Sequence, residues 1–275
     1  MSIKEDYIAY ISNSNNIRKI PTGISKLDNI YGGGLPTGFT IIGAETGLGK
    51  TTFTLQLADS IAKEENVKVL FFSLELSKYE LLSKTLSRIS YLDSELTNHT
   101  PNEFISNGVE DIDNYFNKYE EIQDNIFLID NVKDIGGIIG NTIAFCKKYA
   151  NDKVVVVIDY LQYIKCDGNS DKQNIDNITR ELKNITSKYN VSIIAISSLS
   201  RDGGKRNDLT SFKESGSIEY TADYVIILKK KIVEKGLAFD NEDNIITLEF
   251  LKHRFGSKDS FDMKYFGNFA TFIQN

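Results

Sequence analysis

The sequence is poor in cysteine, histidine and proline, and it has no long hydrophobic run. No apolar stretch approaches the roughly 20 residues that a membrane-spanning helix needs, and the acidic first residues are unlike a secretory signal. We therefore expect a cytoplasmic protein with no membrane partner. Cys146 and Cys166 match no metal spacing and are expected to be reduced thiols. His99 and His253 cannot make a metal site by themselves.

Basic residues are outnumbered by acidic ones, and the formal net charge is therefore −6. A protein that grips duplex DNA along a broad face would carry a wide basic surface. The composition disfavours such a surface. Any contact with nucleic acid should therefore be local and made by a few loops.

The 275 residues could form one large α/β domain or two small ones. Residues 4–11 have the spacing of a short helix, and the polar stretch 12–16 reads as a linker, so we expect residues 1–17 to be an N-terminal helix and linker. All three prolines precede residue 102 at positions that look like loops. The remainder of the chain should therefore contain uninterrupted helices and strands.

Apolar strand patterns alternate with helical ones along most of the chain. Strands are predicted at 39–42, 67–73, 126–129, 154–158, 191–197, 224–228 and 245–251, and helices at 78–92, 135–149 and 175–189, with short surface helices within 93–124. Continuous apolar strands joined by helices indicate a mainly parallel sheet that is covered on both faces. The closely spaced C-terminal strands predict an antiparallel extension of that sheet. Ligands of such sheets bind at the carboxyl ends of the strands.

The stretch 39–57 has the strand–loop–helix pattern of a phosphate-binding loop, or P-loop. Its backbone N–H groups and the N-terminus of the following helix would favour an anion. We predict that ATP binds through Gly47, Gly49, Lys50, Thr51 and Thr52. Lys50 would contact the β- and γ-phosphates, and the Thr51 hydroxyl would hold Mg²⁺. A turn that binds nothing is the disfavoured alternative in this context.

Two carboxylates follow apolar strands and are candidates for the chemistry. Asp159 follows an apolar run of four valines and an isoleucine at 154–158 and is predicted to accept a metal-bound water beside Thr51. The alternative is an aspartate that starts a turn. Glu75 follows the strand 67–73 and is predicted to be the base that activates the attacking water. Its alternative role is a charge at a helix N-terminus, although Ser77 or a neighbour could cap that helix instead.

Two cations near the C-terminus alternate in sequence after a strand. Lys252 and Arg254 would therefore point to the same side of an extended segment, where both could face a phosphate. We expect them to lie far from the P-loop of their own subunit. In a ring they would reach the nucleotide of a neighbour, with Arg254 as an arginine finger. Surface cations after a strand are the alternative.

Taken together, these residues resemble the motor domain of replicative hexameric helicases of the DnaB family, a branch of the RecA-like P-loop ATPases. The resemblance covers about residues 18–275 and rests on ordered blocks. These blocks are AETGLGKTT (44–52), FFSLELS (71–77), IDYLQYI (158–164), AISSLSR (195–201), KESGSIEYTADYVI (213–226) and KHRFG (252–256). The first block is shared by all RecA-like proteins, whereas FSLE, DYLQ, ESGSIE and lysine-x-arginine-x-glycine in this order are specific to the DnaB family.

The resemblance implies a RecA-like fold and an ATP-dependent DNA helicase motor that hydrolyses ATP at subunit interfaces. It also implies Mg²⁺, single-stranded DNA, a homo-oligomer that is expected to be a hexamer, and a loader or primase as a further partner. By position, Glu75 would be the catalytic base, Asp159 the metal-site acid, and Lys252 and Arg254 the groups that act in trans. The loop that grips DNA in this family corresponds here to Lys213, Glu214 and Gly216.

The chain departs from the family pattern in places. Ser198 stands where the family usually has a glutamine that senses the γ-phosphate, and Gln162 is a possible substitute. His253 replaces a typical glutamine and is interpreted as structural. We expect the family's helical N-terminal domain to be missing, so ring assembly and primase docking through it cannot be assumed.

Two other functions remain open at this point. A RecA- or RadA-like recombination ATPase shares the first block, but the KESGSIE loop and the lysine-x-arginine pair argue against it. A nucleotide-controlled assembly or loader module with little hydrolysis is made credible by Ser198. Stimulation of ATP turnover by single-stranded DNA distinguishes the motor from the module.

Overall fold

The computed structural model describes residues 2–15, 19–106, 108–168, 170–199, 216–231 and 244–274. Within these residues the chain folds around one nine-stranded sheet with the order β3-β2-β4-β5-β1-β6-β7-β8-β9. The strands are β1 Gly38–Ala44, β2 Val67–Ser73, β3 Ile126–Ile129, β4 Lys153–Asp159, β5 Ser192–Ser198, β6 Tyr224–Lys230, β7 Ile245–His253, β8 Ser260–Phe266 and β9 Thr271–Gln274. Strands β1 to β6 pair in parallel, and β7, β8 and β9 extend the sheet in antiparallel fashion.

Helices cover both faces of this sheet. The helices of the described residues are α1 Ile3–Asn15, α2 Ser25–Ile30, α3 Lys50–Ala62, α4 Lys78–Leu92, α5 Pro101–Ile105, α6 Ile112–Gln123, α7 Ile135–Lys148, α8 Asp171–Tyr189 and α9 Gly216–Thr221. Buried residues of α2, α3, α4 and α6 pack on one face, and those of α7, α8 and α9 pack on the other. None of the helices in the described part of the chain is both long enough and apolar enough to cross a membrane.

The position of β4 inside the sheet explains why its sequence is a run of valines and not an alternating pattern. Val155 and Val157 belong to the core on one face, while Val154, Val156 and Ile158 belong to the core on the other. Successive side chains of a strand point to opposite faces. Because both faces carry helices, every position from 154 to 158 must be apolar.

The predicted architecture is confirmed, and β2, β3 and α4 have the predicted limits. Two local predictions are wrong. Helix α1 continues to Asn15 through the stretch predicted as a linker, because serine and asparagine weaken a helix by only a few tenths of a kcal/mol each. Pro101 is not in a loop but begins α5, where its missing N–H has no helical partner to lose. Strands β8 and β9 were not individually predicted.

Candidate nucleotide site

The predicted P-loop lies at the carboxyl edge of the parallel strands. Strand β1 ends at Ala44, and α3 begins at Lys50 directly after Gly49, whose φ of 81° is left-handed. The ammonium group of Lys50 donates to the carbonyl oxygens of Ala44 and Glu45 at 2.9 and 3.0 Å. Burial lowers the pKa of Lys50, and the nearby carboxylates of Asp159, Glu75 and Glu45 oppose that effect. The ammonium group of Lys50 thus binds to the start of the loop and is surrounded by carboxylates.

The loop packs on two aromatic rings that sequence reasoning missed. Tyr265 of β8 and Phe272 of β9 stack with centroids 4.5 Å apart. A Cβ atom at Gly49 would lie 2.9 Å from Tyr265 Cζ and 3.0 Å from Phe272 Cζ. The antiparallel strands β8 and β9 therefore pack directly against the P-loop at Gly49. The one sequence signal was the alternation of apolar residues after 260, which does not reveal its distant partner.

We expect Gly49→Ala to disrupt the loop more than Gly47→Ala. Both glycines have positive φ, 81° and 88°, but a Cβ at Gly47 would meet no described atom within 4 Å. Gly47→Ala should lower the free energy of unfolding by about 1 kcal/mol from backbone strain alone, and Gly49→Ala by roughly 2–4 kcal/mol because the clash adds to it. Urea unfolding and binding of a fluorescent ATP analogue measure this. Equal losses for the two variants would refute the packing explanation.

Asp159 is brought to the same edge by β4. Its side chain is 1% exposed, and its Oδ2 atom has no hydrogen-bond partner among the described residues. Burial raises the pKa of Asp159 to about 6, against a hydrogen bond from Thr51 that lowers the pKa. A buried carboxylate that contacts Thr51 and retains one unpartnered oxygen fits the acceptor of a hydrated cation. Thr51 and Asp159 are therefore the residues that would hold Mg²⁺.

Glu75 lies two residues beyond β2 and is exposed. The neighbouring strand places Asp159 opposite Ser73, and the N–H of Leu74 donates to the carbonyl of Asp159 at 2.7 Å. Glu75 acts on the pKa of both Lys50 and Asp159, so the three charges share one site. Helix α4 is capped by Ser77, whose hydroxyl accepts from the N–H of Glu80. Glu75 is therefore not used as the helix cap.

Gln162 contacts the strand end that carries Ser198. Its Nε2 donates to Ser197 Oγ at 2.9 Å, and its Oε1 accepts from the N–H of Ser198 at 3.2 Å. Ser198 lies opposite Ala44 in the pairing of β5 with β1. A carboxamide is thus present beside Ser198, although it comes from the short 3-10 helix Leu161–Tyr163 that follows β4.

Arg254 and Lys252 are not part of this edge. Because β7 runs antiparallel to β6, its end at His253 lies beside Tyr224, the first residue of β6. Arg254 is therefore at the amino edge of the sheet, roughly 20 Å from the P-loop at about 3.3 Å per strand residue. Its side chain is 55% exposed, and its Nη1 donates to Asp223 Oδ1 at 2.7 Å. Within one subunit the two predicted halves of the site are separated by the length of a strand.

The predicted DNA-binding residues are only partly placed. Lys213 and Glu214 lie outside the described residues. Gly216 is the first residue of α9, and the following Ile218 is buried against α8 and the sheet. His253, interpreted as structural, packs on Tyr224 with ring centroids 5.0 Å apart, and its Nε2 lies 3.2 Å from the carbonyl oxygen of Ile30.

Residues 19–274 match the family model described as the DnaB-like helicase C terminal domain. A probable replicative DNA helicase of Trieres chinensis is 29% identical over 97% of this chain and 59% of its own length. The replicative DNA helicase DnaB of Geobacillus stearothermophilus is 29% identical over 94% and 57%. A probable plasmid replicative DNA helicase of Chlamydia muridarum is 30% identical over 83% and 51%. The chain thus spans between half and three fifths of these relatives.

Solved structures agree with this match. One solved ATPase domain superposes with a TM-score of 0.84 at 25% identity, and the superposition covers 100% of this chain and 99% of that one. A DnaB-like replicative helicase, solved in a study of its interactions with primase, has a TM-score of 0.80 at 25% identity over 99% of this chain and 67% of its own. The match to the family model extends over most of the sequence, and the chain belongs to the family of DnaB-like helicase C-terminal domains.

Proposed function

We propose that this chain is an ATP-hydrolysing motor that works between subunits of a ring and translocates on single-stranded DNA during replication. The observation that carries the proposal is the separation of two parts of one site. The P-loop, Asp159 and Glu75 lie at the carboxyl edge of the sheet, and the exposed Arg254 lies at the amino edge. A head-to-tail arrangement of copies would bring the second part of one subunit to the first part of the next.

In this proposal each predicted site residue has a defined role. Lys50 and the N–H groups of the loop bind the phosphates of ATP, with Gly47, Gly49 and Thr52 shaping the loop. Thr51 and Asp159 hold Mg²⁺, which when bound offsets phosphate charge. Glu75 orients the attacking water and takes its proton. Lys252 and Arg254 of the neighbouring copy stabilise charge on the γ-phosphate.

The partners follow from the same family. We propose a homo-oligomer, as a hexamer, that contacts DNA through Lys213, Glu214 and Gly216 inside the ring, in the cytoplasm. A few contacts in a pore suit a chain whose net charge is −6. Residues 1–17 would be a linker helix and residues 18–275 the ATPase domain. A loader or primase remains a further proposed partner.

Gln162 is proposed to report the nucleotide state in place of the glutamine that Ser198 replaces. Its carboxamide joins the short 3-10 helix after β4 to Ser197 and Ser198. Strand β5 is also the neighbour of the P-loop strand. A shift of phosphate contacts could therefore reach the segment that follows β5.

Complementation between two inactive proteins tests the shared site. Arg254→Ala and Lys50→Ala should each lose at least about 10³-fold in DNA-stimulated ATP turnover. When the two are mixed, some intact P-loops meet an intact Arg254 in the next copy, and activity should return. Steady-state ATPase assays with oligo-dT, at protein concentrations that allow assembly, measure the recovery.

Lys258→Ala is the matched control, since Lys258 is an exposed cation in the same turn between β7 and β8. It should retain turnover close to that of the parent. If Arg254→Ala shows no recovery at any mixing ratio, an arginine finger that acts in trans is excluded.

A further inference from the structure

Asp223 lies at the amino edge of the sheet, just before β6, and its side chain is only 4% exposed. Its Oδ1 accepts from Arg254 Nη1 at 2.7 Å. Its Oδ2 accepts from the N–H of Phe39 at 2.9 Å and also from the ammonium group of Lys183 on α8. One buried carboxylate therefore binds two cations from different elements, one on each oxygen.

The backbone of Asp223 repeats these connections. Its N–H donates to the carbonyl of Phe39 at 2.8 Å, and its carbonyl accepts from the N–H of Arg254 at 3.1 Å. Phe39 belongs to β1, the strand that ends in the P-loop. Asp223 thus fixes Arg254, through both backbone and side chain, to the first residues of the strand that carries the nucleotide loop.

A glycine makes room for this carboxylate. Gly38 has a φ of 143°, and a Cβ atom there would lie 2.8 Å from Asp223 Oδ2. Any larger residue would be strained in its backbone and would press on the acid. The close approach is therefore built into β1 as well as into Asp223.

The charges of this cluster keep Asp223 ionised. Burial by itself would raise the pKa of Asp223, but hydrogen bonds from Lys183, Phe39 and Arg254 outweigh burial and hold the pKa below its usual value. Two cations around one anion leave this cluster with a net positive charge. Arg254, more than half exposed, is the cation that faces outward.

We propose that Asp223 is a positioning residue that holds Arg254 in the orientation it needs at the seam between subunits, with Lys183 balancing the other carboxylate oxygen. The inference rests on the proposed action of Arg254 in trans. An arginine side chain has about 2 kcal/mol of rotamer entropy to lose, and a misplacement of about 1 Å at a reacting group can cost about 10²-fold in rate. The buried acid removes both costs before the neighbour's nucleotide is bound.

Asp223→Asn tests the proposal, because it keeps the shape and an acceptor for Phe39 but loses the charge that holds Arg254. We expect kcat for ATP to fall by about 10²-fold with KM within about twofold, since the variant's own P-loop is intact. Mixing with Lys50→Ala, which retains Asp223 and Arg254, should restore turnover. A variant that was merely damaged in its fold would not recover.

Asp262→Asn is the control, because Asp262 also binds two partners, Lys231 at 2.6 Å and Thr247 at 2.7 Å, on another part of the sheet. It should keep the parent kcat. If Arg254→Ala recovers with Lys50→Ala but Asp223→Asn does not, the role of Asp223 is overturned and the shared site stands. If neither recovers, the shared site itself fails.

Lys183→Met decides the matter if Asp223→Asn does not fold. Without Lys183, the carboxylate of Asp223 still accepts from Arg254 and from the N–H of Phe39, so the fold should tolerate the loss. With the balancing cation removed, the carboxylate is less well fixed, and we expect kcat to fall by roughly threefold to tenfold, again with recovery in the mixture. An unchanged kcat for Lys183→Met would overturn the proposal.

Discussion

Glu75→Gln is expected to reduce ATP turnover by about 10²–10⁴-fold while ATP still binds. The substitution keeps the size of the side chain but removes its ability to take a proton. Glu75 is exposed, stands beyond β2, and shares its surroundings with Lys50 and Asp159. Because Ser77 caps the following helix, the loss of charge should not unfold α4. The effect should therefore appear in kcat and not in stability.

Glu45→Gln provides the matched control. Glu45 is also exposed and also lies near Lys50, but it precedes the glycines of the loop. Glu45→Gln should therefore change kcat by much less than the loss of about 10²–10⁴-fold expected for Glu75→Gln. The measurements are turnover with and without oligo-dT and equilibrium binding of a nucleotide analogue. If Glu75→Gln has no effect and DNA does not alter turnover, the chain is a nucleotide-controlled module and not a motor.

The parts of the site that sequence predicted are those fixed by topology. Carboxyl ends of neighbouring parallel strands meet at one edge, so Lys50, Asp159 and Glu75 could be placed together before any coordinates. The limits of β2, β3 and α4 were also predictable, because short, mainly apolar segments mark the strands and a capping serine marks the start of the helix. The separation of Arg254 from the P-loop followed from the antiparallel return of β7.

The parts that sequence did not predict are contacts between distant residues without a motif. Tyr265 and Phe272 lie more than two hundred positions from Gly49. Asp223 finds its cations on α8 and after β7. Aspartate before a strand reads as a turn residue, and only the folded chain shows that it is buried between two charges.

Asp159→Asn is expected to stabilise the protein in the absence of nucleotide and metal, and to abolish hydrolysis. Burial raises the pKa of Asp159 from about 3.8 to about 6. Near neutral pH its ionised form therefore costs free energy in the folded state relative to the unfolded chain. A difference of about two pKa units corresponds to roughly 3 kcal/mol. The neutral amide avoids this cost.

The sign of the pH dependence follows from proton binding. Between the unfolded pKa and the raised folded pKa, the native state of the parent binds more protons than the unfolded state, so its free energy of unfolding falls as pH rises through this window. The advantage of Asp159→Asn should be fully present above about pH 6 and should disappear as pH falls towards about 4. Paired urea titrations in EDTA at several pH values, with the parent as reference, isolate this one group.

Asp152→Asn, just before the start of the same strand and only partly buried, should show no comparable gain. A loss of stability for Asp159→Asn at about pH 8, above the raised pKa, would contradict the explanation.

If Asp159→Asn is more stable but inactive, the acid at this position serves function and not stability. A neutral residue would serve the core better, but only an ionised carboxylate can attract a hydrated cation next to Thr51 and the phosphates. The buried charge is a cost in the empty site that nucleotide and metal binding would offset.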